Sequence, residues 1–189
     1  MFIVFEGVDN SGKTTQTQII KETLEKEYKV EKFSFPVKTT RIGKEIDAFL
    51  RGEVNYSPYV ISLLFSANRW EHKDILEEKI KNNDFLIMDR YYYSNVAYWS
   101  VRGLDENWLL NLDKGLPEPD IVFYLDIDYE DVVKRRKEEF DIIEKNGRLL
   151  KETINYYRQF AKKHNWIFIN ARKDVAQVSK EILEIIKNK

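Results

Sequence analysis

Residues 7–14 read Gly7-Val8-Asp9-Asn10-Ser11-Gly12-Lys13-Thr14, a match to G-x-x-x-x-G-K-[ST] at every fixed position. No other segment restricts the possible folds so tightly. The apolar run 2–5 precedes it and a helical pattern follows it, so the expected local structure is strand, loop, helix. Glycines let backbone N–H groups curl round an anion, and the helix N-terminus adds partial positive charge. The reading is a phosphate-binding loop formed by Gly7, Val8, Asp9, Asn10, Ser11, Gly12, Lys13, Thr14 and Thr15. In that loop Lys13 bridges the β- and γ-phosphates of ATP, and Thr14 is a ligand for Mg²⁺.

The rest of the chain alternates in the same way. Apolar runs at 2–5, 30–35, 85–88, 121–125 and 166–169 predict five strands. Between and after them, helical patterns cover 13–27, 42–50, 57–82, 91–101, 106–113, 131–137, 145–163 and 174–187. Ser57 is the expected N-cap of the longest, with Pro58 in its first turn. Strands that alternate with helices require right-handed crossovers and a parallel sheet covered on both sides. The fold class is therefore α/β: a three-layer α/β/α P-loop NTPase fold with a five-stranded parallel sheet. One domain spanning 1–189 suits this length, with a short helical lid at about 134–148.

Composition narrows the chemistry. With no cysteine there is no disulfide, thiolate zinc site or Cys nucleophile, and two distant histidines make no metal cage. Lys plus Arg number 31 against 32 Asp plus Glu, so nothing draws the whole surface to nucleic acid or an anionic membrane. Any anionic ligand must be caught by a local cluster. No apolar run is long enough to span a bilayer and the first residues lack a basic leader, so the expected location is cytoplasmic.

The run 85–88 ends in Asp89, the form of a Walker-B strand, which places Asp89 near the metal; the same residue can also cap the next helix. No N-K-x-D segment for guanine is present, which argues against a GTPase switch. A compact chain that opens with a phosphate loop points to a small-molecule kinase.

Five ordered motifs then resemble the thymidylate kinase family, from one end of the chain to the other. Phe5-Glu6-Gly7-Val8-Asp9 with Gly12-Lys13-Thr14-Thr15-Gln16 looks like that family's phosphate loop. Phe35-Pro36 with Lys38 is similar to its substrate-phosphate segment, and Leu64-Phe65-Ser66-Ala67-Asn68-Arg69-Trp70-Glu71 to its base-binding helix. Asp89-Arg90-Tyr91 with Ser94, Ala97 and Tyr98 matches its D-R-Y-x-x-S-x-x-A-Y segment, and Leu116-Pro117-Glu118-Pro119-Asp120 the loop before its fourth strand.

The resemblance implies transfer of the ATP γ-phosphate to dTMP. It implies that Asp9 takes the 3′-hydroxyl, Phe65 stacks on thymine and Arg69 meets the 4-oxo group. Phe65 also suits the core, while Arg69 lies at i+4 on the same helix face. Arg90 and Lys38 are implied to hold the acceptor phosphate, with Arg41 able to share it, and Tyr98 to crowd the sugar's 2′ position. The resemblance also implies that Phe35, Pro36 and Ser94 belong to the same acceptor site. Lys134-Arg135-Arg136-Lys137 through Glu144 resembles the lid over ATP, with Arg172 beside the nucleotide; a solvated helix face is the competing reading. Asn10 stands where some members carry Arg, and Asp141 is followed by Ile142 and Ile143 where others carry Arg. The charge-stabilising arginine must then come from Arg135, Arg136 or Arg148. Relatives imply a homodimer built through the long helices, with Tyr59, Leu63 and Leu64 as candidate contacts. The alternatives are a kinase of another base or of nucleosides, and an ATP-binding regulator without turnover.

Overall fold

Strand β1 (Phe2–Glu6) is buried at every residue, as a strand covered on both faces should be. It pairs in parallel with β3 (Phe85–Asp89) on one side and β4 (Ile121–Asp126) on the other. Beyond them lie β2 (Val30–Ser34) and β5 (Ile167–Asn170), giving a five-stranded parallel sheet in the order β2-β3-β1-β4-β5. The computed structural model describes residues 1–136 and 141–189. Among them nine helices complete the chain, and four follow the first two strands: α1 (Lys13–Leu24), α2 (Arg41–Leu50), α3 (Pro58–Trp70) and α4 (Lys73–Asn82). The others are α5 (Tyr92–Ser100), α6 (Glu106–Leu112), α7 (Tyr129–Arg135), α8 (Gly147–Lys163) and α9 (Val175–Lys187).

The chain leaves central β1 for the edge strand β2, returns through β3, and then crosses to β4. That reversal opens a crevice beyond the carboxyl end of β1, where ligands of open parallel sheets bind. Register fixes what meets there: Phe5 pairs with Asp89, so the Walker-B carboxylate stands beside the start of the phosphate loop. The core beneath is aromatic, with Phe2, Phe5, Tyr91, Phe123, Tyr124 and Tyr157 each below 2% exposure. Edge strand β2 is only half-buried, so the expected cover on both sides is complete at the sheet centre and partial at this edge.

One expected element divides. The helix predicted over 57–82 is two helices, α3 and α4, with the break at Glu71 and His72. In a continuous helix the His72 N–H would donate to the Asn68 carbonyl. Instead the His72 ring takes that carbonyl (Nδ1 to oxygen 2.7 Å), and the N–H donates to Arg69 three residues back. A side chain has displaced the backbone from its own acceptor. The predicted cap holds, with Ser57 Oγ accepting from Val60 N and Pro58 opening α3.

Candidate active site

The phosphate loop joins β1 to α1. Gly12 is the N-cap of α1 with a left-handed φ of 98°, a conformation glycine adopts without steric cost, and no side chain caps the helix behind it. The first N–H groups of α1 are thus left for a ligand, the arrangement that binds phosphate. Lys13 is buried; its Nζ donates to the Val8 carbonyl at 2.7 Å and reaches Ser11 Oγ at 3.4 Å. Burial first, then the charge of Arg90, lowers its pKa.

Thr14 Oγ1 donates to Asp89 Oδ2 at 2.7 Å, which brings the two expected metal-side residues together. Among the described residues no cluster of three His, Cys, Asp or Glu side chains forms a protein-only metal cage. A hydroxyl paired with one carboxylate nevertheless fits Mg²⁺, which takes few protein oxygens and completes its shell with phosphates and water. Asn10 on the loop and Thr15 in the first turn of α1 are exposed.

Beside the loop lies a cleft with about 550 Å³ of empty space. Asp9, Phe35, Pro36 and Phe65 border it, as do Arg69, Arg90, Ser94 and Tyr98. These eight residues come from four separate segments of sequence, and all were expected at one acceptor site. Local structure explains their convergence. The Phe35–Pro36 peptide is cis, and the segment after it is gripped by Asn68, whose side chain accepts from Val37 N (2.8 Å) and donates to Val37 O (3.1 Å). Gly43 lets α2 approach this segment: a Cβ there would lie 1.8 Å from the Val37 carbonyl oxygen.

Arg90 links loop and cleft. Its backbone sits at φ 65°, a left-handed conformation that costs a non-glycine residue and is found where function over-determines the chain. Its Nη1 donates to the Gly7 carbonyl (2.8 Å) and to Ser94 Oγ (3.0 Å), its Nη2 pairs with Asp9, and the guanidinium lies over the Tyr98 ring. Burial works against its charge, but Asp9, with smaller contributions from Tyr98, Tyr157 and Glu144, outweighs this and holds its pKa well above the ordinary value.

Several residues in this network received no role from sequence reasoning. Glu6 is fully buried and accepts from Tyr91 N (2.8 Å), Ser94 Oγ (2.7 Å) and the Tyr157 hydroxyl (2.9 Å). Its burial raises its pKa, against the pull of Arg90. The signal was a charged residue ending an otherwise apolar strand. Glu144 Oε1 accepts from Asp9 N (2.9 Å) and from the Tyr98 hydroxyl, so the far end of the expected lid reaches into the cleft, with Asp141 and Ile143 also on its wall. Arg102 ties that segment to α5 through the Tyr98 and Ile143 carbonyls. Asn95 borders the cleft, and its Oδ1 is buried without a partner among the described residues.

Other expected residues lie apart. Lys38 pairs with Asp47 at 2.7 Å and lines a neighbouring open groove, although its charge helps to lower the pKa of Asp9. Arg41 is exposed at the start of α2 and is not on the cleft wall. Arg135 ends α7 and donates to the Ala171 carbonyl at 2.6 Å, beside Arg172, which pairs with Asp128 at 2.8 Å. Arg136 follows Arg135 directly, and Arg148 is exposed and paired with Glu152. The middle of the expected lid, residues 137–140, lies outside the described residues.

The parallel sheet, the phosphate loop after its central strand and a second cleft bordered by Arg69 and Arg90 define a P-loop kinase of small molecules. The thymidylate kinase family model matches residues 5–182. The chain is 36% identical to a thymidylate kinase of Dictyostelium discoideum (98% of this chain, 84% of that one) and 37% identical to one of Schizosaccharomyces pombe (98% and 91%). A solved thymidylate kinase from Candida albicans superposes with a TM-score of 0.87 at 30% identity, covering 99% of this chain and 91% of that one. The chain belongs to the thymidylate kinase family.

Proposed function

We propose that this protein transfers the γ-phosphoryl group of ATP to dTMP, giving ADP and dTDP. The observation that carries the reading is Arg90, which touches both the phosphate loop at Gly7 and the cleft at Asp9 and Ser94. A donor phosphate on the loop and an acceptor phosphate in the cleft would meet at this guanidinium.

An acceptor phosphate oxygen attacks the γ-phosphorus in line; that P–O bond forms as the β–γ bridging bond breaks, and ADP leaves. An ionised phosphate needs no strong base, so the side chains position the reactants and neutralise spreading charge. Lys13 and Arg90 do this from the two sides, with Arg135 and Arg136 at the lid and Arg172 on the ATP side. Thr14 and Asp89 would hold Mg²⁺, which would supply further neutralisation of the phosphate charge when bound. Lys38 and Arg41 steer the acceptor phosphate from the rim.

The base is read by complementary groups. Thymine presents a 4-oxo acceptor and an N3–H donor, which suit the donor Arg69 and the orphaned acceptor Asn95 Oδ1; cytosine presents the reverse pair. Phe65 stacks on the ring, Asp9 takes the 3′-hydroxyl, and Tyr98 leaves no room for a 2′-hydroxyl. We further infer one domain over 1–189 with a lid at about 134–148, and a cytoplasmic homodimer. Its face would be α3, where Tyr59, Val60 and Leu63 are exposed large hydrophobics. The test of transfer is product identity. ADP and dTDP should form one for one from ATP and dTMP, with little ADP formed without acceptor. ADP formed at the same rate without dTMP would defeat the proposal.

A further inference from the structure

The guanidinium of Arg69 is held from behind. Its Nε donates to Asp113 Oδ1 at 2.9 Å and its Nη2 to Asp113 Oδ2 at 2.7 Å, between side chains only 3% and 0% exposed. Asp113 ends α6, so an element other than α3 fixes where the guanidinium sits. Ser66 Oγ lies 3.0 Å from both Asp113 Oδ1 and the Leu112 carbonyl, and Trp70 Nε1 donates to that same carbonyl at 2.8 Å. Ser66, Arg69 and Trp70 follow i, i+3, i+4 spacing, so one face of α3 is stitched to the end of α6. Two of the five guanidinium protons are thereby spent. Arg69 Nη1 makes no hydrogen bond to a described residue, and Arg69 borders the cleft.

We propose that Asp113 is a positioning residue for base selection, acting through Arg69. The proposal rests on the reading of Arg69 as the group that meets the 4-oxo oxygen. A free arginine has many rotamers; against a 4-amino group it would swing aside, and little discrimination would remain. Pinned by a two-pronged carboxylate, the remaining N–H donors hold one direction. They then meet a 4-oxo acceptor at no further cost in side-chain entropy and oppose the N–H donors of a 4-amino group. The carboxylate also supplies the countercharge without which a buried guanidinium is costly.

The experiment compares kcat/KM for dTMP and dCMP in the full chain carrying Asp113→Asn, Ser66→Ala, Arg69→Ala, or Asp113→Asn with Arg69→Ala. Asparagine keeps the shape of Asp113 and removes the charge. The expected result is a fall of about tenfold in the dTMP to dCMP ratio for Asp113→Asn, equivalent to about 1.4 kcal/mol and on the scale of one charge-assisted hydrogen bond. Ser66→Ala, which keeps both charges, gives a smaller fall in the same direction and carries the test should Asp113→Asn fail to fold. The double variant matches Arg69→Ala alone, because Asp113 acts only through Arg69. A lowered Tm with an unchanged ratio in Asp113→Asn or, if that variant does not fold, in Ser66→Ala overturns the proposal. If Arg69→Ala collapses the ratio in that case, only the positioning role has failed; if Arg69→Ala also leaves it unchanged, the base-reading role of Arg69 has failed with it.

Discussion

Replacing Glu144 by Gln should change how stability depends on pH, in a direction set by where that carboxylate lies. Its Oε1 accepts from Asp9 N and the Tyr98 hydroxyl, while Oε2 is buried without a partner among the described residues. Burial, and then the negative charge of Asp9, pushes the carboxyl up from its ordinary 4.5 to about 7. Between those values the folded protein holds a proton that the unfolded chain has already lost. The stability contributed is therefore present below pH 4.5 and lost as pH rises through about 7. At about 1.36 kcal/mol per pH unit, the displacement from 4.5 to about 7 amounts to about 3 kcal/mol. With an unfolding entropy of about 2.1 cal/mol/K per residue over 189 residues, that is roughly 8 °C in Tm. Asp9 acts in another window: burial raises its pKa, but Arg90 and Lys13 outweigh this and lower it, so its contribution is lost only as pH falls below 3.8. Asp141 is raised, chiefly by burial, and leaves some slope behind in the variant. The assay is calorimetric Tm of the ligand-free protein between about pH 5 and 8. Tm of the parent should fall relative to Glu144→Gln as pH rises. Parallel curves for the two proteins would refute the reasoning.

Three further outcomes are expected. Arg90→Lys keeps the charge but loses the fork that spans Gly7, Asp9 and Ser94, so kcat should drop by about 10²–10³, as for one preorganised donor, while binding of an ATP analogue measured by calorimetry changes little. Thr14→Ala removes the hydroxyl beside Asp89 and should raise the Mg²⁺ concentration needed for half-maximal rate, read from a Mg²⁺ titration; an unchanged midpoint would remove Thr14 from the metal site. Leu63→Glu puts a charge on the exposed apolar face of α3; if α3 forms the proposed dimer face, light scattering should give a dimer mass for the parent and a monomer mass for the variant, whereas equal masses for the two would remove Leu63 from any interface.

The fold was legible wherever the chain carries local punctuation. The phosphate loop fixed the first strand and helix, and apolar runs with intervening helical periods located the other strands to within a residue or two. The division of 57–82 was not legible, because it depends on the His72 ring taking the Asn68 carbonyl, and periodicity carries no record of that competition. The residues expected at the acceptor site from motifs, Lys38 and Arg41 apart, converge on one cleft, since Phe65 and Arg69 share a face of α3, Ser94 and Tyr98 share a face of α5, and Arg90 lies in the turn just before α5. Partners brought together across the chain were invisible. Asp113 meets Arg69 over 44 positions and Glu144 meets Asp9 over 135, and neither pairing leaves a local pattern. Lys38 and Arg41 are not on the cleft wall, because a motif gives the order of residues and not the direction of a long side chain.

The most direct test of the account is ADP release from ATP with Mg²⁺, measured against each common nucleoside monophosphate, deoxy and ribo, as acceptor. The account predicts the highest kcat/KM for dTMP, with dUMP, which shares the 4-oxo edge, ahead of dCMP and the purines, and loss of that order in Arg69→Ala. Turnover of dCMP, dAMP or dGMP equal to that of dTMP would contradict it.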